Sequence, residues 1–170
     1  MKAVLISINP KWCELIASGK KTVEVRKTKP KLKTPFKCYI YCTKPRIFWA
    51  FADGLYTSSE YLHLCEGKVI MGDGFDLYDK DYEVLNGYVI GEFICDRIRT
   101  EYEVADGLVD VALENTSCVS YKELIEYSNG KMLYAWHISD LVIYEKPREL
   151  DEFSGGYIKR PPQSYCYVED

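Results

Sequence analysis

The sequence predicts an α+β protein, built as a mixed β-barrel with a few flanking helices. Stretches with period-2 alternation and many Tyr, Ile and Val residues recur along the chain, which is typical of strands. Helical periodicity is confined to short, separated segments, which favours a barrel over a doubly wound sheet. The 170 residues are most simply one domain, 1–170, because a chain of this length can bury a sizeable core.

The elements can be placed from their periodicity and their end signals. In order, we predict strand 3–8, helix 10–18, strand 21–27, strand 36–43, strand 88–99, helix 120–127, strand 133–144 and a short terminal strand 165–168. Asn9 as N-cap and Gly19 as stop delimit the first helix. Ser120, with Glu123 three residues later, forms the capping-box pattern of the second. Gly91 lies inside a long strand and predicts a bend or bulge there.

Residues 44–87 interrupt this rhythm and are predicted to form an acidic insertion. Turn signals recur within it, and its second half carries the acidic residues Asp73, Asp76, Asp79, Asp81 and Glu83. The order Asp-x-Asp-x-Asp-Gly of a calcium loop is absent from this run. We interpret it as an acidic surface loop, through which a protein partner could bind.

One motif follows the first helix directly and concentrates charge. Gly19, Lys21, Glu24 and Arg26 have the spacing Gly-x-Lys-x-x-Glu-x-Arg. Alternation along a strand puts Glu24 and Arg26 on one face, so Lys21 joins them only from the loop before regular pairing begins. The spacing is compatible with a functional site and also with a simple ion pair beside solvated lysines.

This motif resembles the hallmark of the ASCH domains, a branch of the PUA-like superfamily, and all four positions match. The similarity extends to the segments 4–8, 89–93 and 162–168. The resemblance implies a small PUA-like β-barrel with a nucleic-acid or nucleoside-binding cleft near the motif. Some relatives resemble RNA-binding modules, one branch hydrolyses acetylated cytidine, and ribonuclease activity is attributed to another member, so family membership alone does not choose an activity.

Charge is distributed unevenly along the chain. Residues 11–46 hold eleven of the 22 Lys and Arg residues and only two acidic ones, which leaves eleven basic and 24 acidic residues elsewhere. A basic end on an acidic protein favours a defined phosphate-docking face and argues against tight, non-specific duplex binding. The lysines between Lys27 and Lys37 alternatively serve solubility in a Pro-bounded loop.

Three further residues are candidates for the cleft. Tyr41 and Tyr165 could stack on bases, as aromatic side chains do in single-stranded RNA recognition. Gln163 carries an amide that could contact a base edge. Trp136 is expected in the core and His137 in a structural position.

A catalytic alternative uses the same cleft. Lys21, Glu24 and Glu92 could supply a cation and an acid/base pair for hydrolysis. In the acetylcytidine-hydrolysing branch, the resemblance implies a nucleophilic Thr where this chain has Glu24, and that departure weakens the match. We therefore expect a protein that binds RNA or a nucleotide-like ligand, with a metal-independent hydrolase of a modified nucleoside or a ribonuclease as the alternative.

Cysteine content and hydropathy argue against disulfide-bonded, metal-binding and membrane proteins. The seven cysteines are odd in number and include no Cys-x-x-Cys, so we predict reduced thiols. His63 and Cys65 lack the further ligands of a zinc site, and no metal or other cofactor is predicted. Because no apolar window of about 18 residues and no signal peptide is evident, we expect a cytoplasmic protein that does not bind membranes.

Overall fold

The computed structural model describes residues 1–44, 61–65, 68–71, 83–101, 111–153 and 158–170. Its strands are β1 Lys2–Ile8, β2 Val23–Arg26, β3 Phe36–Cys42, β4 Tyr61–Cys65, β5 Lys68–Met71, β6 Glu83–Val84, β7 Val89–Cys95, β8 Ile98–Glu101, β9 Leu133–His137, β10 Ser139–Arg148 and β11 Tyr165–Glu169. Its helices are α1 Pro10–Ala17, α2 Val111–Ser117 and α3 Tyr121–Ser128, and a 3-10 turn spans Leu150–Phe153. The predicted α+β class is confirmed.

A five-stranded sheet in the order β10-β7-β3-β1-β11 forms the centre of the molecule. β1 runs parallel to β3, and the other neighbours are antiparallel. Both faces of this sheet are buried. Cys38 and Ile40 pack with residues of α1 on the near face, whereas Tyr39 and Tyr41 pack with Phe153 on the far face.

The second sheet has the order β2-β9-β8. Trp136 of β9 is fully buried in the near-face core, where its ring meets Phe36 edge-on at 5.9 Å between centroids. On the other side of this sheet, Val25 packs with Leu113 of α2 and Leu124 of α3. The second sheet is therefore a layer between the near-face core and two helices.

The two longest predicted strands each divide in two. Strand 88–99 separates into β7 and β8, and strand 133–144 separates into β9 and β10. At this corner the His137 N–H donates to the Arg97 carbonyl at 3.0 Å. Both chain segments pass there between the five-stranded sheet and the second sheet. Hydrophobic alternation continues across the corner. The sequence pattern therefore does not show that each segment leaves one sheet and pairs with strands of the other.

The predicted mixed β-barrel is not confirmed, because the strands that the structure describes do not close into one. Their hydrogen-bonded ladders make three open sheets, and β10 and β11 remain edge strands. At Gly91, where a bend is predicted, the β3–β7 register shifts between the pairs Ile40–Gly91 and Tyr41–Val89. A Cβ atom at Gly91 would lie 2.4 Å from the Val142 carbonyl oxygen, so this close approach of β10 requires glycine.

Strands also occur inside residues 44–87, where the sequence suggests none. β4 pairs antiparallel with β5, and β5 pairs parallel with β6. Each is only two to five residues long, too short for periodicity to stand out among turn residues. The acidic run 72–82 lies outside the described residues, and its role stays a prediction. Within the described part of the chain, no helix is long and apolar enough to cross a bilayer.

Helix α2 is absent from the sequence prediction. Its sequence, Val-Ala-Leu-Glu-Asn-Thr-Ser, contains several weak helix formers. Burial of Leu113 against the second sheet is a tertiary contribution that local propensity does not report. Helix α3, by contrast, begins at the predicted capping box, in which Ser120 and Glu123 hydrogen-bond reciprocally.

Candidate functional site

A cavity of about 690 Å³ opens beside β2. Within the described strands, β2 pairs only with β9 and is an edge of its sheet. Trp12 of α1, Tyr127 of α3 and Gln163 of the C-terminal segment contribute to the cavity walls. Glu24, Val25 and Arg26 of β2 also line the cavity.

The turn after α1 brings Lys21 to this cavity. Gly19 has a φ of +73°, in the left-handed region that favours glycine just past a helix end. The Lys21 N–H then donates to the Leu15 carbonyl at 2.8 Å. Because β2 begins at Val23, Lys21 reaches the cavity from the loop that precedes the strand.

Lys21, Glu24 and Arg26 form a buried charge chain. Glu24 Oε2 lies 3.3 Å from Lys21 Nζ, and Glu24 Oε1 lies 2.9 Å from Arg26 Nε. Lys21 Nζ also donates to the Ser117 carbonyl at 2.6 Å. Lys21 is 2% exposed and Glu24 is 5% exposed, so water screens these charges little. Two cations and one carboxylate leave the charge chain with one net positive charge.

Arg26 connects the charge chain to the five-stranded sheet. Its Nη2 donates to the Ser7 carbonyl of β1 at 2.6 Å, and its Nη1 lies 3.4 Å from Ser164 Oγ. The Ser7 N–H in turn donates to the Ser164 carbonyl at 2.9 Å. The planar fork of one guanidinium thus fixes three chain segments at one wall of the cavity.

Cations and aromatic rings adjoin one another around the cavity. Lys21 Nζ lies 4.9 Å from the Trp12 ring centroid, and Lys27 Nζ lies 4.6 Å from that of Tyr127, both within cation–π range. Burial raises the pKa of the Tyr127 hydroxyl. Hydrogen bonds from Ser120 lower the pKa of the Glu123 carboxyl, which also lines the cavity.

The predicted ligand residues divide into two groups. Gln163 is exposed and lines the cavity together with Lys21, Glu24 and Arg26. Tyr165 instead packs into the near-face core, with its ring centroid 5.3 Å from that of Trp136. Gly19 shapes the turn and does not line the cavity.

Tyr41 and Glu92 lie on the far face, away from the cavity. Tyr41 is 4% exposed and packs in the core that contains Phe153. Glu92 is the cross-strand partner of Tyr39, which belongs to the same core. Placing them in the cleft was wrong because alternation shows which residues share a face of a strand and does not show what covers that face.

Glu92 has its own partners on the far face. Its carboxylate accepts a hydrogen bond from the Tyr144 hydroxyl at 2.5 Å and lies 3.4 Å from Lys37 Nζ. Burial, followed by this hydrogen bond, raises the pKa of Tyr144. The acid/base pair predicted from Glu24 and Glu92 is therefore not assembled.

Several cavity residues carry no motif that the sequence analysis could use. Trp12 serves there only as an apolar position of the first helix, and Ser7 and Tyr127 are not singled out at all. The available signal was the proximity of that helix to the charged motif. Trp12 lies in the first turn of α1 and Lys21 follows the end of the same helix, and in the structure the two side chains are in contact.

A second, smaller cavity of about 150 Å³ lies beside α2, where Arg97, Arg99 and His137 line it. His137 Nδ1 is 2.6 Å from Asp96 Oδ1, a contact that holds the imidazole at the corner between the sheets and supports its expected structural position. Among the side chains that the structure describes, no three His, Cys, Asp or Glu residues group as metal ligands. His63 and Cys65, which lack the further ligands of a zinc site, belong to residues 61–65, whose side chains lie outside that set.

Comparison with known proteins gives a consistent fold. The family model of the ASCH domain matches residues 6–153. The crystal structure of ASCH from Zymomonas mobilis is similar, with a TM-score of 0.63 and 20% identity over 99% of this chain and 88% of that chain. A tyrosine-to-phenylalanine mutant of that protein gives a TM-score of 0.60 and 19% identity over 100% of this chain and 92% of that one. No curated protein sequence matches the chain.

Proposed function

The chain belongs to the ASCH domain family, and we propose that its cavity binds single-stranded RNA or a nucleotide-like ligand. The observation that carries this proposal is the charge chain in the wall of the 690 Å³ cavity. Ligand pockets typically measure about 300–1,000 Å³. The charge chain has one net positive charge, buried where water screens it little, and this favours an anionic group such as a phosphodiester. The Glu123 carboxylate, which also lines the cavity, lies 3.8 Å from Lys11 Nζ, a cation that offsets its charge.

The surroundings of the cavity suit a nucleotide better than a simple anion. Trp12 and Tyr127 present aromatic surface on which a base could stack. The exposed amide of Gln163 offers both donors and an acceptor. The basic loop begins at Lys27, immediately after β2 ends, and its exposed lysines could meet the phosphates of a strand that leaves the cavity.

Glu24 favours binding over hydrolysis. Each of its two oxygens already faces a cation, Lys21 on one side and Arg26 on the other. A general base needs a carboxylate oxygen within hydrogen-bond reach of the proton that it removes. Glu92 lies on the far face, so the cavity lacks the acid/base pair of Glu24 and Glu92 suggested by the sequence. Both catalytic alternatives, hydrolysis of a modified nucleoside and cleavage of RNA, relied on that pair.

The proposal is tested by fluorescence anisotropy with short, labelled single-stranded RNA in the presence of chelator. We expect wild type to bind, and Tyr127→Leu to weaken binding by about 1–3 kcal/mol if its ring stacks on a base. Gln163→Ala removes an exposed amide and should cost about 1 kcal/mol. The matched control is Lys146→Ala, since Lys146 is exposed on β10, at the opposite edge of the five-stranded sheet from β11.

Mass spectrometry of the same RNA and of acetylated nucleosides separates binding from catalysis. Unchanged RNA that wild type retains and Tyr127→Leu releases would support a binding module. Product whose formation depends on Glu24 would replace the proposal with the hydrolase alternative. Absence of both signals would reject the cavity as a nucleotide site and direct attention to the acidic insertion and a protein partner.

A further inference from the structure

The cavity runs along the open edge of β2. Successive residues of a strand point to opposite faces of the sheet, yet Glu24, Val25 and Arg26 all line this one cavity. A single cavity can touch three successive strand residues only if it follows the edge of the strand. The edge that β2 does not share with β9 is therefore the floor of the cavity.

The direction of each backbone group in β2 follows from its ladder with β9. The Ile138 N–H donates to the Thr22 carbonyl at 2.9 Å, so the carbonyl of residue 22 points toward β9, while the Thr22 N–H, just before the strand, donates to the Thr116 carbonyl. The His137 N–H donates in the other direction, to the Arg97 carbonyl. Opposed residues in an antiparallel pair alternate between bonded and non-bonded positions. The even-numbered residues of β2 therefore bond to β9, and the odd-numbered residues point their N–H and C=O groups to the open edge.

Val25 is the odd-numbered residue of β2 that lines the cavity. Its N–H and C=O point to the open edge, and no hydrogen bond to them comes from any residue that the structure describes. Val23, the other such residue of β2, lines the smaller cavity instead. One donor and one acceptor from a single residue are thus presented to the cavity.

We propose that the N–H and C=O of Val25 bind the Watson–Crick edge of one unpaired nucleobase. This inference rests on the proposed function and names the group that the cavity recognises. Bases carry an adjacent donor and acceptor on that edge, and proteins use it to recognise single-stranded RNA. An extended peptide would need a run of alternate edge residues, but of the odd-numbered residues of β2 only Val25 lines this cavity, since Val23 lines the smaller one. The net positive charge of the charge chain suits the phosphate of the same nucleotide.

The ligand side of the test uses short oligouridine, oligocytidine and oligoadenosine RNAs. Each is compared with a base-methylated version that stays neutral: N3-methyluridine, N4,N4-dimethylcytidine or N6,N6-dimethyladenosine. These methyl groups block the Watson–Crick edge and leave the phosphates and the stacking surface in place. We expect the best-bound RNA to lose about tenfold or more in affinity when its bases are methylated, which corresponds to about 1.4 kcal/mol.

The protein side uses the backbone amides themselves. In ¹⁵N-labelled wild type, the Val25 amide resonance should shift strongly on addition of the unmethylated RNA, whereas that of Glu24, bonded to β9, should shift less. Val25→Pro removes this N–H without removing a ladder hydrogen bond, as proline does at strand edges, and should reproduce the loss of about tenfold. The amide measurement on wild type keeps the test decisive if that variant fails to fold.

The outcomes separate the inference from the function on which it rests. Equal affinity for methylated and unmethylated RNA, with no selective shift at Val25, would overturn base recognition while leaving RNA binding intact. Loss of affinity on methylation with the Val25 amide unmoved would place recognition at another group and would equally overturn it. Failure of every RNA to bind would overturn the inference and, separately, the proposal that the cavity binds single-stranded RNA.

Discussion

Two charged clusters in this molecule each place a lysine beside a glutamate, but only one of them lines a cavity. The charge chain of Lys21, Glu24 and Arg26 lines a cavity and is almost fully buried. The second group, the far-face cluster, comprises Lys37, Tyr39, Glu92, Tyr144 and Asp170. In it Lys37 Nζ lies 3.0 Å from Asp170 Oδ1 and 3.4 Å from Glu92 Oε1. These three side chains are 22–28% exposed.

The difference lies in what remains available to a ligand. In the far-face cluster, hydroxyls and cations meet carboxylates directly: the Tyr39 hydroxyl donates to Asp170 at 2.5 Å and the Tyr144 hydroxyl to Glu92. The charge chain instead has an excess cation and adjoins an open strand edge. Charged and aromatic side chains alone would make both clusters candidate binding sites. Enclosure and unused hydrogen-bonding groups distinguish the candidate binding site.

The largest expected effect breaks the charge chain. Glu24→Gln leaves Lys21 and Arg26 buried without a counter-charge, and breaking such a pair typically costs about 3–5 kcal/mol. The matched change Glu92→Gln, in a partly exposed pair, should cost about 1 kcal/mol or less. Urea unfolding of both variants measures the contrast. Equal losses would show that the two clusters do not differ in burial as described.

A second change tests packing away from the cavity. Gly91→Ala places a Cβ atom 2.4 Å from the Val142 carbonyl oxygen, so β7 and β10 must move apart. Overpacking of this kind costs about 1–3 kcal/mol. The folded variant should keep wild-type affinity for RNA, because Gly91 does not line the cavity. If the fully folded variant instead bound RNA more weakly, packing between β7 and β10 would be coupled to the cavity.

The far-face cluster should respond to pH at both extremes. Burial and the hydrogen bond to Asp170 raise the pKa of Tyr39 to about 12, so its contribution is complete below about pH 10, the ordinary tyrosine value, and is lost as the pH rises through about 12. Hydrogen bonds from Tyr39 and Lys37 lower the pKa of Asp170, so its contribution is lost as the pH falls below about 4.

Tyr39→Phe removes this hydrogen bond and should cost about 1 kcal/mol at neutral pH. The variant should also show a flatter unfolding free energy between about pH 10 and pH 12, because the raised pKa no longer contributes. Chemical unfolding across the pH range measures both effects. An unchanged alkaline slope in the variant would assign the slope to other groups. Affinity for RNA should not change.

The smallest expected effect concerns the basic loop beside the cavity. Lys29 is exposed, with its Nζ 5.4 Å from the Tyr134 ring centroid. If it contacts a phosphate, Lys29→Ala should weaken RNA binding regardless of base identity and reduce the salt slope of log K by about 0.7. Lys146→Ala should leave that slope unchanged. Identical slopes for wild type and Lys29→Ala would mean that the loop lysine is only solvated.

Much of the site was accessible from local sequence. Gly19, Lys21, Glu24 and Arg26 share a turn and one short strand, so spacing alone places their charges close together. Gln163, about 140 residues away along the chain, could be named only as a candidate. Tyr41 and Glu92 were placed wrongly because a strand pattern carries no information about which layer covers each face.

The sequence by itself determined the α+β class, the capped helix before the motif and the charge content of that motif, because these depend on contacts within a few residues. The tertiary structure decided which strands pair, where two long strands turn from one sheet to the other, and that β2 keeps an open edge. Those outcomes depend on packing between distant segments, such as Trp136 against Phe36 and Arg26 against Ser7. The free N–H and C=O of Val25 are set by strand order, which no single segment of the chain encodes.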